Sequence, residues 1–234
     1  YEIIKCDWSS DVCSSDLDTL YGGSGSDTYV FNLGDGQDVF DEQDAGSAGD
    51  AVLFGEGIRP EDIIVTQGNG GRDLVFSING TSDQVTLKNV ITSSYAWARI
   101  EFVRFADGTE WTYQQALEKS VVPTDGNDTL YGDEFANTMA GGIGNDILYG
   151  RGGNDTFVFK PGFGHDTIGD FTAGAGVGDV VEFDQTMFDD FQDVLAHAQQ
   201  VGSDVVITYD ADNDLRLKNV KLANLHVDDF HFVG

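Results

Sequence analysis

The sequence GGIGNDILY-GRGGNDTFV, residues 141–158, decides the fold of this chain, because it is one nine-residue pattern written twice in tandem. The two copies place an aspartate at the sixth position, Asp146 and Asp155, and an apolar side chain at the eighth, Leu148 and Phe157. Glycines occupy most of the first four positions, where they permit the positive φ angles of tight turns. Each copy therefore predicts a six-residue turn followed by a three-residue strand.

Weaker copies of the pattern surround the tandem pair and recur near the start of the chain. They are DGNDTLY (125–131), GDEFANTMA (132–140), GFGHDTI (162–168), DTLY (18–21), GGSGSDTYV (22–30) and GDGQDVF (34–40). In the copy at 132–140, Asn137 replaces the aspartate and the glycines are largely missing, which weakens the case for an ion at that turn. Short repeats of this kind predict stacking, because one turn cannot bury its own apolar side chain.

A longer duplication contains both groups of repeats. Asp27–Phe31 matches Asp155–Phe159, and Leu87–Val90 matches Leu217–Val220. The chain therefore resembles one module written twice, with a linker near Ser120–Thr124. The predicted segments are a leader (1–17), a first repeat array (18–44), a β-rich segment (45–121), a second array (122–170) and a C-terminal β-rich segment (171–234).

The segments that follow each array have the composition of strands. They are rich in β-branched and aromatic residues and are separated by turn dipeptides such as Asn79-Gly80. The predicted strands are 63–66, 74–78, 84–87, 100–105, 205–209 and 215–217. Short helices are expected at about 112–119 and 190–201. The predicted fold class is all-β.

Composition restricts the function and indicates the ligand. The net charge is −29, and 32 of the 41 acidic residues are aspartate. This charge argues against nucleic acid and anionic membranes as partners, and no apolar run is long enough to span a membrane as a helix. Aspartate carboxylates and inward-facing backbone carbonyls are hard oxygen ligands of the kind that Ca²⁺ prefers. Stacked turns would complete its coordination, which predicts a parallel β-solenoid with ions between the turns.

These repeats resemble those of the RTX, or haemolysin-type, calcium-binding proteins. The resemblance implies two short parallel β-roll arrays, with two nonapeptides in each coil, so that alternate repeats stack. It then implies that Asp128, Asp146 and Asp166 share one edge and that Asp155 lies on the other. In the first array Asp18 and Asp38 would share an edge opposite Asp27. The implied calcium ligands are Asp18, Gly23, Gly25, Asp27, Gly36, Asp38, Gly126, Asp128, Gly142, Gly144, Asp146, Gly153, Asp155, Gly164 and Asp166.

The resemblance extends to the flanking segments. Residues 57–111 resemble the β-rich domain that follows RTX repeats, and residues 225–232 resemble the C-terminal region that directs such proteins through type I secretion. The implied protein is secreted, folds on Ca²⁺ outside the cell, uses a type I exporter, and has no catalytic site of its own. Alternatives are an accessory module of a larger secreted protease, lipase or polysaccharide-modifying enzyme, whose catalytic domain would lie upstream, and an adhesin or surface-layer segment that contacts a glycan or cell surface.

Simpler interpretations of individual features stay open. The Gly/Asp turns could be metal-free turns of a β-sandwich. The loop at 210–214 resembles the start of an EF-hand but lacks its later glycine and glutamate, which favours a hairpin loop. Four aromatic residues could stack on sugars, although core packing is favoured: Tyr95, Trp97, Trp111 and Tyr113.

The first seventeen residues do not follow the repeat pattern. They contain both cysteines, Cys6 and Cys13, and they lack the apolar core of a secretory signal peptide. This stretch resembles translated sequencing-adapter read-through. It is expected to be an artefactual or disordered leader, with a single disulfide as the alternative.

Overall fold

The computed structural model describes residues 3–5, 17–41, 49–92 and 100–234. Cys6, Cys13, Tyr95 and Trp97 lie outside these residues, so the expectations about them are not addressed by the structure. The described residues form mostly strands in sheets with extensive parallel pairing, and they include two α-helices. This confirms the all-β fold class. No helix in the described ranges is long and apolar enough to cross a membrane.

The chain divides into two compact units between Ser120 and Val121. The first unit contains, among its described residues, ten strands, one α-helix, α1 (Tyr113–Ser120), and a 3₁₀ segment at Pro60–Asp62. The strands are β1 (Ile3–Lys5), β2 (Leu17–Leu20), β3 (Thr28–Phe31), β4 (Gln37–Phe40), β5 (Ala51–Phe54), β6 (Ile63–Gly68), β7 (Asp73–Ile78), β8 (Gln84–Leu87), β9 (Phe102–Phe105) and β10 (Glu110–Thr112).

The first five strands of the first unit alternate between two sheets. One sheet has the order β2-β4-β8-β7-β6 and the other β1-β3-β5-β9-β10. The repeat strands pair in parallel, with Asp18 opposite Asp38, whereas the later hairpins β6-β7-β8 and β9-β10 are antiparallel. Asp107-Gly108 forms the turn between β9 and β10, as expected, with Gly108 at a φ of 90°.

The core of the first unit contains side chains from both of its sheets. Tyr29 on β3 is fully buried and stacks on Phe40 of β4, with ring centroids 4.6 Å apart. Trp111 and Tyr113 belong to the same core, each with 8% of its surface exposed. Core packing is therefore the role of these two aromatic residues, as favoured from sequence.

The second unit repeats this arrangement. Its single α-helix among the described residues is α2 (Phe191–His197), and short 3₁₀ segments lie at Leu222–Asn224 and Val227–Asp229. Its strands are β11 (Thr129–Tyr131), β12 (Thr138–Met139), β13 (Ile147–Tyr149), β14 (Thr156–Phe159), β15 (His165–Ile168), β16 (Val180–Asp184), β17 (Ala198–Val201), β18 (Asp204–Thr208), β19 (Asp214–Leu217) and β20 (Phe230–Val233).

The sheets of the second unit have the orders β11-β13-β15-β19-β18-β17 and β12-β14-β16-β20. Leu130 pairs in parallel with Leu148, and Met139 with Phe157, so each repeat stacks on the next but one. The eighth-position side chains are buried: Leu148 and Phe157 have no exposed surface. Burial of these side chains between two sheets stabilises a coil that no single repeat could maintain.

The helix expected at 190–201 is shorter than predicted. Asp190 caps α2 by accepting hydrogen bonds from the backbone N–H groups of Gln192 and Asp193. The helix ends at His197, and Ala198–Val201 forms β17, which pairs with β18 across a tight turn. Gly202 in that turn has a φ of 65°. A two-residue hairpin of this kind favours strand pairing over continuation of the helix.

Part of the expected leader is a strand. Residues 3–5 form β1 and pair in parallel with β3, with Ile3 opposite Thr28. A disordered leader is therefore not what the structure shows at these three positions. Residues 1–2 and 6–16 lie outside the described residues.

Candidate metal centre

Three sixth-position aspartates form a ladder along one edge of the second unit. The backbone N–H of Asp128 donates to Asp146 Oδ1 at 2.8 Å, and the N–H of Asp146 donates to Asp166 Oδ1 at 2.8 Å. Parallel, in-register pairing of β11, β13 and β15 places the three residues one coil apart. The predicted grouping of these aspartates is observed.

A second ladder follows the opposite sheet. The N–H of Asn137 donates to Asp155 Oδ1 at 2.9 Å, and the N–H of Asp155 donates to Asp179 Oδ1 at 2.9 Å. Asp155 therefore lies over the Asn137 turn, as expected.

The first unit has two corresponding ladders. Asp18 N–H donates to Asp38 Oδ1 at 3.2 Å, and Asp27 N–H donates to Asp50 Oδ1 at 2.7 Å. The second ladder continues to Glu101, whose Oε2 accepts from Asp50 N–H at 2.7 Å. Asp27 thus lies directly before β3, which belongs to the sheet opposite the one that contains Asp18 and Asp38, in agreement with the expectation.

One carboxylate oxygen of each central aspartate has no hydrogen-bond partner. Asp146, Asp155 and Asp166 each have 1% of their surface exposed, and the Oδ2 atom of each is buried without a donor. Burying an ionised oxygen in this way costs several kcal/mol unless a proton or a cation compensates it. These three atoms are the strongest indication of a missing positive charge in the described part of the chain.

Burial also changes the acidity of these groups. Desolvation, reinforced by the nearby carboxylates of Asp179, Asp170 and Asp133, raises the pKa of Asp155 to about 7. Desolvation, with repulsion from Asp146 and Asp214, raises the pKa of Asp166 to about 7. Burial likewise raises the pKa of Asp146 above its ordinary value. The carboxyl groups of Asp155 and Asp166 are thus poised to exchange a proton for a cation near neutral pH.

Carboxylates alone do not complete a site. In the ranges that the structure describes, no three His, Cys, Asp or Glu side chains come together as a metal site. A cation would therefore need backbone carbonyl oxygens as further ligands.

The turns bring such carbonyls close to the aspartates. Gly144 has a φ of 141°, and a Cβ placed on it would collide with the carbonyl oxygen of Gly126. A Cβ on Gly164 would collide in the same way with the carbonyl of Gly144. The fourth residue of these two turns must therefore be small, because a carbonyl oxygen of the preceding coil occupies the space. The carbonyl oxygens of Gly126 and Gly144 thus form a row of hard oxygen atoms beside the aspartate ladder.

Comparison with known protein families identifies these turns. Residues 14–39 and 123–157 match the RTX calcium-binding nonapeptide repeat (4 copies), and residues 73–115 match the haemolysin-type calcium binding protein related domain. The chain carries RTX repeats. The ion that these RTX repeats bind is Ca²⁺. Repeats of this type are generally non-catalytic.

Solved structures add a likeness without identifying a function. The extracellular lipase LipA from Serratia marcescens aligns over 93% of this chain at 20% identity, with a TM-score of 0.37. The chain spans 38% of the length of that lipase. No curated protein matches the chain.

The RTX glycines predicted as ligands all lie in turns that precede a strand. Seven of them have positive φ: Gly23 (76°), Gly25 (129°), Gly36 (89°), Gly142 (89°), Gly144 (141°), Gly153 (106°) and Gly164 (90°). Gly126 is the exception, and it contributes its carbonyl to the neighbouring coil. Asp128 differs from the central aspartates, because its Oδ2 accepts a hydrogen bond from Thr124 N–H at 2.7 Å.

Sequence reasoning missed the residues that extend the ladders beyond the repeats. Asp50 accepts a backbone hydrogen bond from Asp27, and Asp179 accepts one from Asp155, the last repeat aspartate of each ladder. The sequence feature that could have indicated Asp50 and Asp179 is the Gly-Asp dipeptide, which the duplication preserves at 49–50 and 178–179. Glu101 had no such signal, since it follows a long insertion and precedes an ordinary strand.

The raised pKa values predict how pH and calcium interact. Between about pH 4 and pH 7, folded Asp155 and Asp166 hold protons that the unfolded chain has released, so the stability of the metal-free protein falls as pH rises. Calcium requires the deprotonated carboxylates, so its stabilising effect increases over the same range. We expect the rise in melting temperature on adding calcium to be larger at pH 8 than at pH 5.5. Thermal melts with EGTA and with calcium at both pH values measure this, and equal increments would contradict it.

Proposed function

We propose that the chain is a calcium-dependent folding module, in which Ca²⁺ ions between successive coils hold the RTX turns closed. The observation that supports this most strongly is the set of buried, unpartnered Oδ2 atoms of Asp146, Asp155 and Asp166. Without a cation these carboxyl groups must stay protonated or separate, and either response disfavours the stacked turns at neutral pH.

The residues of the turns fit calcium well. Ca²⁺ takes six to eight oxygen ligands in flexible geometry. Asp146, Asp155 and Asp166 would supply the charged oxygens, and the fourth-position carbonyls, including those of Gly126 and Gly144, would supply neutral ones. Bound Ca²⁺ supplies the positive charge that the buried carboxylates lack. The residues of the chain position the oxygens through the backbone hydrogen bonds of the ladders.

Equilibrium dialysis against calcium tests this proposal. We expect more than one Ca²⁺ per chain, with dissociation constants near the range of about 10⁻⁴–10⁻³ M typical of extracellular modules. Magnesium should compete poorly, because it demands a near-ideal octahedral shell that retains several waters. Absence of calcium binding at millimolar concentration, or equal binding of both ions, would refute the proposal.

We further propose that the module belongs to a secreted protein and folds after export. RTX repeats are typical of secreted proteins, and a fold that needs millimolar calcium would stay open in a cytoplasm where the free ion is scarce. Residues 225–232, which resemble the type I secretion region, include the start of β20. Co-expression with an RTX-class type I exporter tests this: the chain should reach the medium, and a chain without its last sixty or so residues should remain inside. Equal export of both would contradict the proposal.

A further inference from the structure

The turn at 132–137 closes itself through its own side chains. Asn137 Oδ1 accepts a hydrogen bond from the backbone N–H of Asp133 at 2.7 Å. Its amide nitrogen Nδ2 donates to Asp133 Oδ1 at 3.1 Å, and Asp133 Oδ1 also accepts from Phe135 N–H at 3.0 Å. Asn137 has 8% of its surface exposed, and Asp133 has none. The Asn137 side chain, Asp133 Oδ1 and the backbone N–H groups of Asp133 and Phe135 therefore bond to one another within this buried turn.

The neighbouring turns place a carboxylate where this turn has an amide. Asp146 Oδ2 lies against Gly141 and Asp155 Oδ2 against Gly150, the first residues of their turns. Asn137 Oδ1 lies against Gly132 in the corresponding place. The side chains thus take the same position in three turns. In two of them the oxygen next to the first glycine lacks a donor, and in the Asn137 turn it has one.

We propose that the Asn137 turn closes without calcium, because the asparagine amide performs the task that the ion performs elsewhere. This inference rests on the proposed function. The amide N–H group of Asn137 donates a hydrogen bond to the Asp133 carboxylate, which a cation would otherwise stabilise. The neutral asparagine side chain also brings one negative charge fewer into the turn than an aspartate would.

The closed Asn137 turn also orients a proposed calcium ligand, Asp155, in the next coil. The backbone N–H of Asn137 donates to Asp155 Oδ1 at 2.9 Å, which fixes one oxygen of that carboxylate while Oδ2 stays without a donor. Pre-ordering a ligand reduces the conformational entropy that binding must overcome. The Asn137 turn therefore orders part of the Asp155 turn without needing calcium itself.

The substitution Asn137→Asp tests the inference, with Asn154→Asp as the matched control. The variant replaces the amide donor by a second carboxylate beside Asp133, which should require a cation for closure. We expect equilibrium dialysis to count one more Ca²⁺ per chain than in the unmodified protein, and the melting temperature in EGTA to fall. Asn154 is exposed at the fifth position of its turn, so its substitution adds the same charge and should change neither measurement.

The outcomes separate the inference from the proposed function. If the unmodified chain binds no calcium, both are wrong. If it binds calcium, but Asn137→Asp leaves both the ion count and the EGTA melting temperature unchanged, the inference alone is wrong.

A crystal structure of the unmodified chain with Tb³⁺ replacing Ca²⁺ provides a test that does not depend on the folding of a variant. Anomalous density near Asp146, Asp155 and Asp166, with none within about 2.6 Å of the Asn137 or Asp133 side-chain oxygens, supports the inference. Density at that distance from either side chain overturns it.

Discussion

Removing calcium is expected to abolish much of the parallel strand structure, and millimolar calcium is expected to restore it. At an ion concentration about tenfold above the dissociation constant, each site contributes about 1.4 kcal/mol. Three or four sites then contribute about 4–6 kcal/mol, which is comparable to the whole stability of a small domain, about 5–15 kcal/mol. Calcium removal also leaves the buried carboxylates uncompensated, which adds repulsion to the lost binding energy.

Far-UV circular dichroism measures this expectation. The spectrum in EGTA should lose a large part of its β signal, and it should return on titration with calcium but not with magnesium at the same concentration. A native spectrum in EGTA that calcium leaves unchanged would favour the alternative of metal-free turns in an ordinary β structure.

Substitution of Asp146 by alanine should have the largest effect of any single aspartate on the calcium requirement. Asp146 lies at the centre of its ladder: its Oδ1 accepts from Asp128 N–H, and its own N–H donates to Asp166 Oδ1. The change removes a charged hydrogen-bond acceptor, worth about 1.5–3 kcal/mol, together with a ligand of the proposed ion. We expect loss of at least one Ca²⁺ and a several-fold increase in the calcium concentration at the folding midpoint, measured by a calcium titration.

Asp212→Ala is the matched control for this prediction. It removes the same charge from an exposed position in the β18-β19 loop, and its side chain belongs to neither aspartate ladder. Its ion count and calcium midpoint should equal those of the unmodified chain. Equal midpoints for the Asp146 and Asp212 variants would show that the general acidity of the chain, rather than the ladder, determines the calcium response.

The repeat register could be predicted from the sequence because the nine-residue period fixes both the turn and the buried position. The burial of Leu148 and Phe157 follows from that period. The stacking of Asp146 on Asp128 follows from the period together with the two repeats per coil that the RTX resemblance implies. The hairpin strands were also predictable, since β-branched runs alternate with turn dipeptides between them.

Features that depend on tertiary contacts could not be predicted in the same way. Glu101 joins its ladder across a long sequence separation, and no local pattern indicates this. The end of α2 at His197 depends on pairing between β17 and β18, which overrides a weak helical pattern. The closure of the Asn137 turn depends on the second-position residue, Asp133, and its significance emerges only when the side-chain hydrogen bonds are known.

Hydrogen exchange over residues 141–168, with and without calcium, tests the central claim most directly. These residues contain the turns of Asp146, Asp155 and Asp166, and their backbone N–H groups form the ladder hydrogen bonds. We predict that calcium slows exchange of these amides by about 100-fold or more, equivalent to about 2.7 kcal/mol of stabilisation, while magnesium does not. Identical exchange rates in EGTA and in saturating calcium would contradict the account that calcium holds these turns closed.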